Sequence, residues 1–476
     1  MNSFVNAVAL GNTSNVAYTN NGMLTNASSL NPVVDLFFAI GSSRGKDITG
    51  LFTQAYNFDP VRAVKVLFWA RDVRGGAGER GTFRSLMLSL EQMDPDRAMR
   101  LIPLVSEYGR WDDILIFQTP AVQKVAFNTY VQALRAGNGL AAKWSPRRGP
   151  VANQLRKALG LDPKSYRQLV VSLTQVVESQ MCAKEWSEIN YEHVPSVAAG
   201  RYQKAFKKRD GERYGLYKAA AVRGEAKINA SASYPYDVLK SLRYGDQEAS
   251  QAQWNALPNY LGDGGILPMV DVSSSMSCQV GGQKGAGMTC MDMSVALGLY
   301  IADRQVGAFR DMFLTFATDT RIEQLKGTLT EKVAQLRGAN WGGCTSLETA
   351  FREVLKVAVV HRVPQAEMPR YLVVLSDMEF NQHSGGNVTA WQMAQEMFER
   401  AGYERPKVIW WNLNARPGNV PVTQHESGAA LVSGYNPSIM KSVLGAREFT
   451  PVMVMEEAIN SPRYQAVEAE MAHQAV

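Results

Sequence analysis

Two hydrophobic patterns divide this chain. Up to residue 250, apolar positions recur at three- and four-residue spacing, the signature of amphipathic helices. VVDLFFAIGSS, DPVRAVKVLFWARDV, GTFRSLMLSLEQM, PDRAMRLIPLVSEYG and WDDILIF predict helices, as do PAVQKVAFNTYVQALRAG, GPVANQLRKALG, SYRQLVVSLTQVVESQM, SVAAGRYQKAFKKRD and YPYDVLKSL. Short helices with brief polar links predict an α-solenoid, in which each helix pair buries its stripe against its neighbours. After residue 255 short apolar runs alternate with helical patterns, as βα units require. GILPMVDV, FRDMFLTFATD, MPRYLVVLSDM, PKVIWWNLN and GAALVSG read as strands. MTCMDMSVALGLYIADR, LTEKVAQLRG, SLETAFREVLKVAVVHR and WQMAQEMFERAGY read as the helices between them, with Thr345 and Ser346 placed to cap the third.

The 476 residues and 46% hydrophobic content suit two soluble domains. The expected division is an uncharged arm over 1–34 with eight asparagines, a helical domain over 35–254 and an α/β domain over 255–476. The fold class expected is therefore α + α/β, a helical solenoid followed by a doubly wound parallel sheet. Apolar runs fall short of the roughly 18 residues of a membrane span, and no signal-peptide pattern opens the chain, so the expected location is the cytoplasm. Cys182, Cys278, Cys290 and Cys344 lack CxxC spacing, which points to reduced thiols rather than a zinc site or disulfide framework.

The string MVDVSSSM carries the sharpest chemistry. Asp271, Ser273 and Ser275 sit two residues apart at the end of a predicted buried strand. Thr345 in WGGCTSLETAF and Asp377 in YLVVLSDMEF lie at or beside two further element ends. Hydroxyls with only two carboxylates suit Mg²⁺, a hard octahedral cation that keeps several neutral oxygens or waters. Mn²⁺ is the alternative. Two charges leave the ion electron-poor, so it keeps a position for a partner's carboxylate or phosphate. This pattern resembles the metal-ion-dependent adhesion site of a von Willebrand A domain. In that class the donors sit at the carboxyl ends of sheet strands, where open α/β sheets hold ligands. The class usually has threonine directly after its glycines, whereas here Cys344 separates Gly343 from Thr345.

Charge is unevenly spread behind the net of +6. Residues 1–250 carry 32 Lys and Arg against 22 Asp and Glu, and residues 251–476 carry 18 against 22. Between Lys143 and Arg223, 16 basic side chains face 7 acidic ones, which points to a polyanionic partner. In RYQKAFKKRDGERYGLYK, Tyr202, Phe206, Tyr214 and Tyr217 interleave with the cations. That mixture either neutralises phosphates and stacks unpaired bases or is a solvated helix face with its aromatics in the core. Lys143, Arg147, Arg148, Lys204, Lys207, Lys208 and Arg209 are candidate RNA contacts by charge alone. Arg110 in EYGRWDD joins them, unless Asp112 and Asp113 pair with it.

Enzymatic chemistry is not expected. RDVRGGAGER and GGQKGAG do not read GxxxxGK[ST]. The five histidines are scattered, no nucleophile–base arrangement stands out, and a two-metal nuclease would cluster carboxylates instead of hydroxyls.

LNPVVDLFF, LFWARDVRGGAGERGTFR, LVSEYGRWDDIL, YRQLVVSLTQVVESQMCAKEWSEINYEHVPS, KINASASYPYDVLKSL, MVDVSSSM, VLSDMEF, VIWWNL and LVSGYNPSIMKSVL together resemble the Ro autoantigen family of TROVE-module ribonucleoproteins. They come nearer still to uncharacterised plant, giant-virus and phage relatives of it. The resemblance spans most of the chain. It implies a ring of HEAT-like repeats with a basic channel for single-stranded RNA ends and an outer surface for structured small RNA, closed by the A-like domain. Family metal ligands carry onto Asp271, Ser273, Ser275, Thr345 and Asp377. The function expected is a non-enzymatic RNA-binding ribonucleoprotein component. The alternative is a metal-dependent protein adaptor, partnering an AAA+ ATPase or a virion component, without RNA.

Overall fold

The computed structural model describes residues 15–472 apart from 175, 231–232, 245–246, 263, 281–287, 317–319, 339–345 and 385–386. The chain forms two compact units that are not contiguous in sequence. One comprises residues 1–66, 234–239 and 259–461, the other 67–233, 240–258 and 462–476. The chain therefore passes between the units five times, after residues 66, 233, 239, 258 and 461, in place of one division at residue 254. Residues from the amino-terminal arm and the first helices belong with the sheet, and the last helix belongs with the helical unit.

The sheet unit is built on six strands. β3 (Ile266–Asp271), β4 (Met312–Phe316), β6 (Tyr371–Ser376), β7 (Lys407–Asn412) and β8 (Ala429–Ser433) run parallel, and β5 (Arg321–Gln324) is an antiparallel edge. The order is β5-β4-β3-β6-β7-β8. Counting only strands of this sheet, that is 3-2-1-4-5-6, the doubly wound order whose direction reverses between β3 and β6. The predicted strands lie where their apolar runs placed them, because a parallel strand covered on both faces reads as a continuous hydrophobic run. β3 and β8 are buried along their whole length.

Helix Cys290–Arg304 packs on β3, β4 and β6, and helix Leu347–Val360 on β4 and β5. A Cβ at Gly298 would stand 2.4 Å from Val270 Cγ2 and 2.8 Å from Phe313 Cε2, so a residue without a side chain lets the first of these helices lie close against β3. The second is capped by Ser346, whose hydroxyl accepts from Thr349 N–H, as the sequence predicted.

Two features of this unit were not predicted. Residues expected as an extended arm contain a hairpin of β1 (Val16–Tyr18) and β2 (Leu24–Asn26). Helix Pro32–Ile40 then lies on β8, where Ser433 Oγ donates to Phe37 O (2.9 Å), and Asn412 Nδ2 at the end of β7 donates to Phe38 O (2.7 Å).

The second unit is helical. Helices Arg80–Met93, Pro95–Tyr108, Pro120–Arg135, Pro163–Leu173, Ser196–Arg209 and Gly211–Val222 are its longer elements. WDDILI is a 3₁₀ helix rather than a turn of α-helix. Asp113 is fully buried there and accepts from Arg71 Nε (2.7 Å) and Arg84 Nε (2.6 Å). Asp72 accepts from Arg463, which ties the carboxyl-terminal segment to this unit. No described helix is long and apolar enough to cross a membrane.

Candidate functional site

Asp271 is the last residue of β3, and Asp377 directly follows β6. They therefore stand at the carboxyl ends of the two strands that flank the reversal of strand order, where doubly wound sheets place ligands. Ser273 and Ser275 lie on the turn leaving β3, which winds into a 3₁₀ helix over Ser274–Ser277.

Hydrogen bonds knit these donors together. Asp271 Oδ1 accepts from Ser273 N–H (2.9 Å) and its Oδ2 from Ser376 Oγ (2.6 Å). The hydroxyls of Ser273 and Ser275 are 3.0 Å apart, and Ser275 lies near enough to Asp377 to draw its carboxyl down against the effect of burial. Asp377 Oδ1 also accepts from Glu379 N–H (3.2 Å). Ser376 Oγ accepts in turn from Met378 N–H (3.0 Å). That turn holds Met378 at φ 64°, a left-handed conformation uncommon outside glycine.

The electrostatics favour a cation. Asp271, Ser273 and Asp377 are all buried. Burial, with Asp377 beside it, pushes the Asp271 carboxyl up to about 7. Burial likewise raises Asp377. Among the described residues no lysine or arginine pairs with Asp271, and a buried carboxylate without a cationic partner is costly. Two carboxylates and two hydroxyls, all hard oxygen donors, fit Mg²⁺ or Mn²⁺. Of the five predicted metal residues the structure brings together Asp271, Ser273, Ser275 and Asp377. Thr345 lies outside the described residues.

Residues the sequence reading missed surround the site. Glu379 is buried and accepts from Asn20 N–H (2.6 Å), with Arg416 Nε at 3.2 Å. Lys46 donates to the carbonyls of Asn414 (2.7 Å) and Ala415 (3.3 Å). Burial draws its ammonium below the usual lysine range, against the pull of Cys290, Cys278, Asp377 and Glu379 nearby. No local pattern marks Lys46, since its contacts lie more than 200 residues away in sequence. The Cys278 and Cys290 sulfurs, both free thiols as expected, meet at 3.0 Å, a contact that their spacing did not indicate.

In the helical unit the basic segment resolves in favour of an inward aromatic face. Phe206 and Tyr214 are buried with Tyr191, and Tyr202 and Tyr217 pack on that cluster. Tyr202 donates to Glu178 and Tyr217 to Lys227 O. Two of these four rings are core and the other two are half-buried against it, so they do not form an open base-stacking platform. Lys204, Lys207, Lys208 and Arg209 are exposed on helix Ser196–Arg209, and none has a carboxylate partner among the described residues. The helix contains no acidic residue. Arg147 and Arg148 are exposed.

Arg110 is already engaged, bonded to Asp112 and stacked 3.5 Å over the Trp144 ring. Lys143 lies 5.5 Å from that ring centre and lines a cleft of about 1200 Å³ with His193, Glu178, Glu185 and Glu188. Three glutamates against one lysine make the cleft a poor phosphate site.

Two family profiles match the chain. Residues 266–475 match a domain of unknown function, DUF7788, and residues 19–115 and 152–267 match another, DUF2828. An uncharacterized protein of Acanthamoeba polyphaga mimivirus is 28% identical over 93% of this chain and 86% of its own length, in keeping with the resemblance to giant-virus relatives. Among solved structures, the crystal structure of the Deinococcus radiodurans Ro (RSR) protein aligns with a TM-score of 0.44 at 13% identity, covering 90% of this chain and 99% of that one.

Proposed function

We propose that this protein is a non-catalytic RNA-binding protein carrying a divalent-cation site. Exposed Lys204, Lys207, Lys208 and Arg209 hold the phosphate backbone of RNA. Asp271, Ser273, Ser275 and Asp377 hold Mg²⁺ or Mn²⁺ in the manner of a von Willebrand A adhesion site, with Thr345 as the fifth donor. When bound, the ion supplies Lewis acidity toward a carboxylate or phosphate of a partner. The chain's own part is to orient the oxygens: Ser376 fixes the Asp271 carboxylate, and Glu379 N–H fixes Asp377.

The observation that carries this reading is the convergence of four hard donors at the reversal point of the sheet, around a buried carboxylate with no cationic partner among the described residues. For the RNA half, the support is a helix carrying four exposed cations that have no carboxylate partner among the described residues. Direct base recognition is not part of the proposal, because the neighbouring rings are buried in the aromatic cluster or packed against it. Fluorescence anisotropy with a structured small RNA bearing a single-stranded end, set against duplex DNA, tests it. Salt-dependent binding with a preference for the RNA is expected, and no binding at low salt contradicts it.

A second reading is a metal-dependent protein adaptor without RNA. The inward aromatic cluster favours it, since charge alone is left for nucleic acid. An acidic partner held in Mg²⁺ and released by chelation, with RNA binding absent throughout, would mark that reading.

A further inference from the structure

Two cysteines face each other beside the Ser274–Ser277 turn. Gln279 and Thr289 form an antiparallel bridge, so Cys278 stands opposite Cys290. Cys290 N–H donates to Cys278 O and Val280 N–H to Met288 O, each at 3.0 Å. Facing residues of an antiparallel pair have Cα atoms about 4.5–5.5 Å apart, within the about 4.4–6.8 Å that disulfides span. The sulfurs, 3.0 Å apart and both free thiols, need to approach by about 1 Å to reach bonding distance.

Their surroundings differ. Cys278 is half-buried, and Asn414 Nδ2 donates to its sulfur at 3.0 Å. Cys290 is 1% exposed. Access to a small disulfide therefore makes Cys278 the thiol that attacks first.

We propose that Cys278 and Cys290 are a reversible thiol–disulfide pair, Cys278 the attacking thiolate and Cys290 the resolving thiol, oxidised by a low-molecular-weight disulfide. The Cys278 thiolate attacks one sulfur of the small disulfide, forms a mixed disulfide and expels one small thiolate. Cys290 then gives up its proton to solvent, attacks Cys278 Sγ and expels the second. The two protein thiols lose two electrons, and the small disulfide leaves as two thiols. The new bond ties the start of helix Cys290–Arg304 to the chain leaving the Ser274–Ser277 turn. This chemistry needs no metal, so its failure is separable from failure of the cation site.

The test uses the full chain, reduced, freed of reductant and incubated with oxidised glutathione at rising concentration until exposed Cys182 is modified. Remaining thiols are alkylated, and the protein is digested without reductant for peptide mass analysis. The expected result is a Cys278–Cys290 crosslinked peptide that dithiothreitol removes. Cys290→Ser is expected to replace it with a glutathione adduct on Cys278, and Cys278→Ser to leave Cys290 alkylatable. Alkylatable Cys278 and Cys290 in wild-type protein whose Cys182 is modified would overturn the proposal, as would a crosslink from Cys278 to another cysteine.

Discussion

Replacing Lys204, Lys207, Lys208 and Arg209 together by alanine removes four charges from helix Ser196–Arg209 without touching Phe206, its fully buried residue in the aromatic cluster. Alanine is the strongest helix former, so the helix persists and the change reads charge alone. Each neutralised phosphate on a single strand contributes about 0.7 to the slope of log affinity against log salt. Four contacts therefore contribute about 3 to that slope. Between about 50 and 200 mM salt, the wild type should lose about 50-fold more affinity than the variant, by the same relation. Anisotropy of a labelled structured RNA, measured across the salt series for both proteins, gives the two slopes. Equal slopes would refute the assignment of these residues, even if both proteins bind.

Other outcomes follow from single contacts. Ser376→Ala removes the hydroxyl that donates to Asp271 and accepts from Met378 N–H. Loss of such an orienting partner typically weakens metal binding about 10–100-fold, and Mn²⁺ titration should show that loss; undiminished Mn²⁺ affinity would contradict the role given to Ser376. Gly298→Ala forces a methyl against Val270 and Phe313, so the sheet unit should lose about 1–3 kcal/mol, seen as earlier thermal unfolding; an unchanged profile would contradict the packing. Asp113→Ala leaves Arg71 buried without its carboxylate, which should cost about 3–5 kcal/mol. Hydrogen exchange should then accelerate in helices Arg80–Met93 and Pro95–Tyr108, and unaltered protection would count against the pairing.

Much of the sheet was legible in sequence because its parallel strands are covered on both faces and read as unbroken apolar runs. The edge strand β5, RIEQ, was not legible: it is four residues long, half-exposed and without such a run. The site's two acids were legible because each closes or follows a buried strand, but Lys46 and Glu379 were not. Their roles come from contacts between distant segments, which leave no periodic trace. The aromatic residues of the basic segment lay within reach of a helical stripe, since Tyr202 and Phe206 are four residues apart. The inward stripe was therefore one of the two readings the sequence offered, and the interleaved lysines kept the other open, because on a helix neighbouring sequence positions point to different faces. The thiol pair was hidden for the same reason as Lys46, being set by cross-strand register and not by spacing.

Calorimetric titration of Mg²⁺ and Mn²⁺ into the full chain, wild type against Asp271→Asn and Asp377→Asn, tests the cation site most directly. These substitutions keep the shape of each side chain while removing one of the two charges that the ion requires. Saturable binding at one site per chain in the wild type, abolished in Asp271→Asn and strongly weakened in Asp377→Asn, is the predicted result. No binding to the wild type, or binding equal in all three proteins, would contradict a cation held at the ends of β3 and β6.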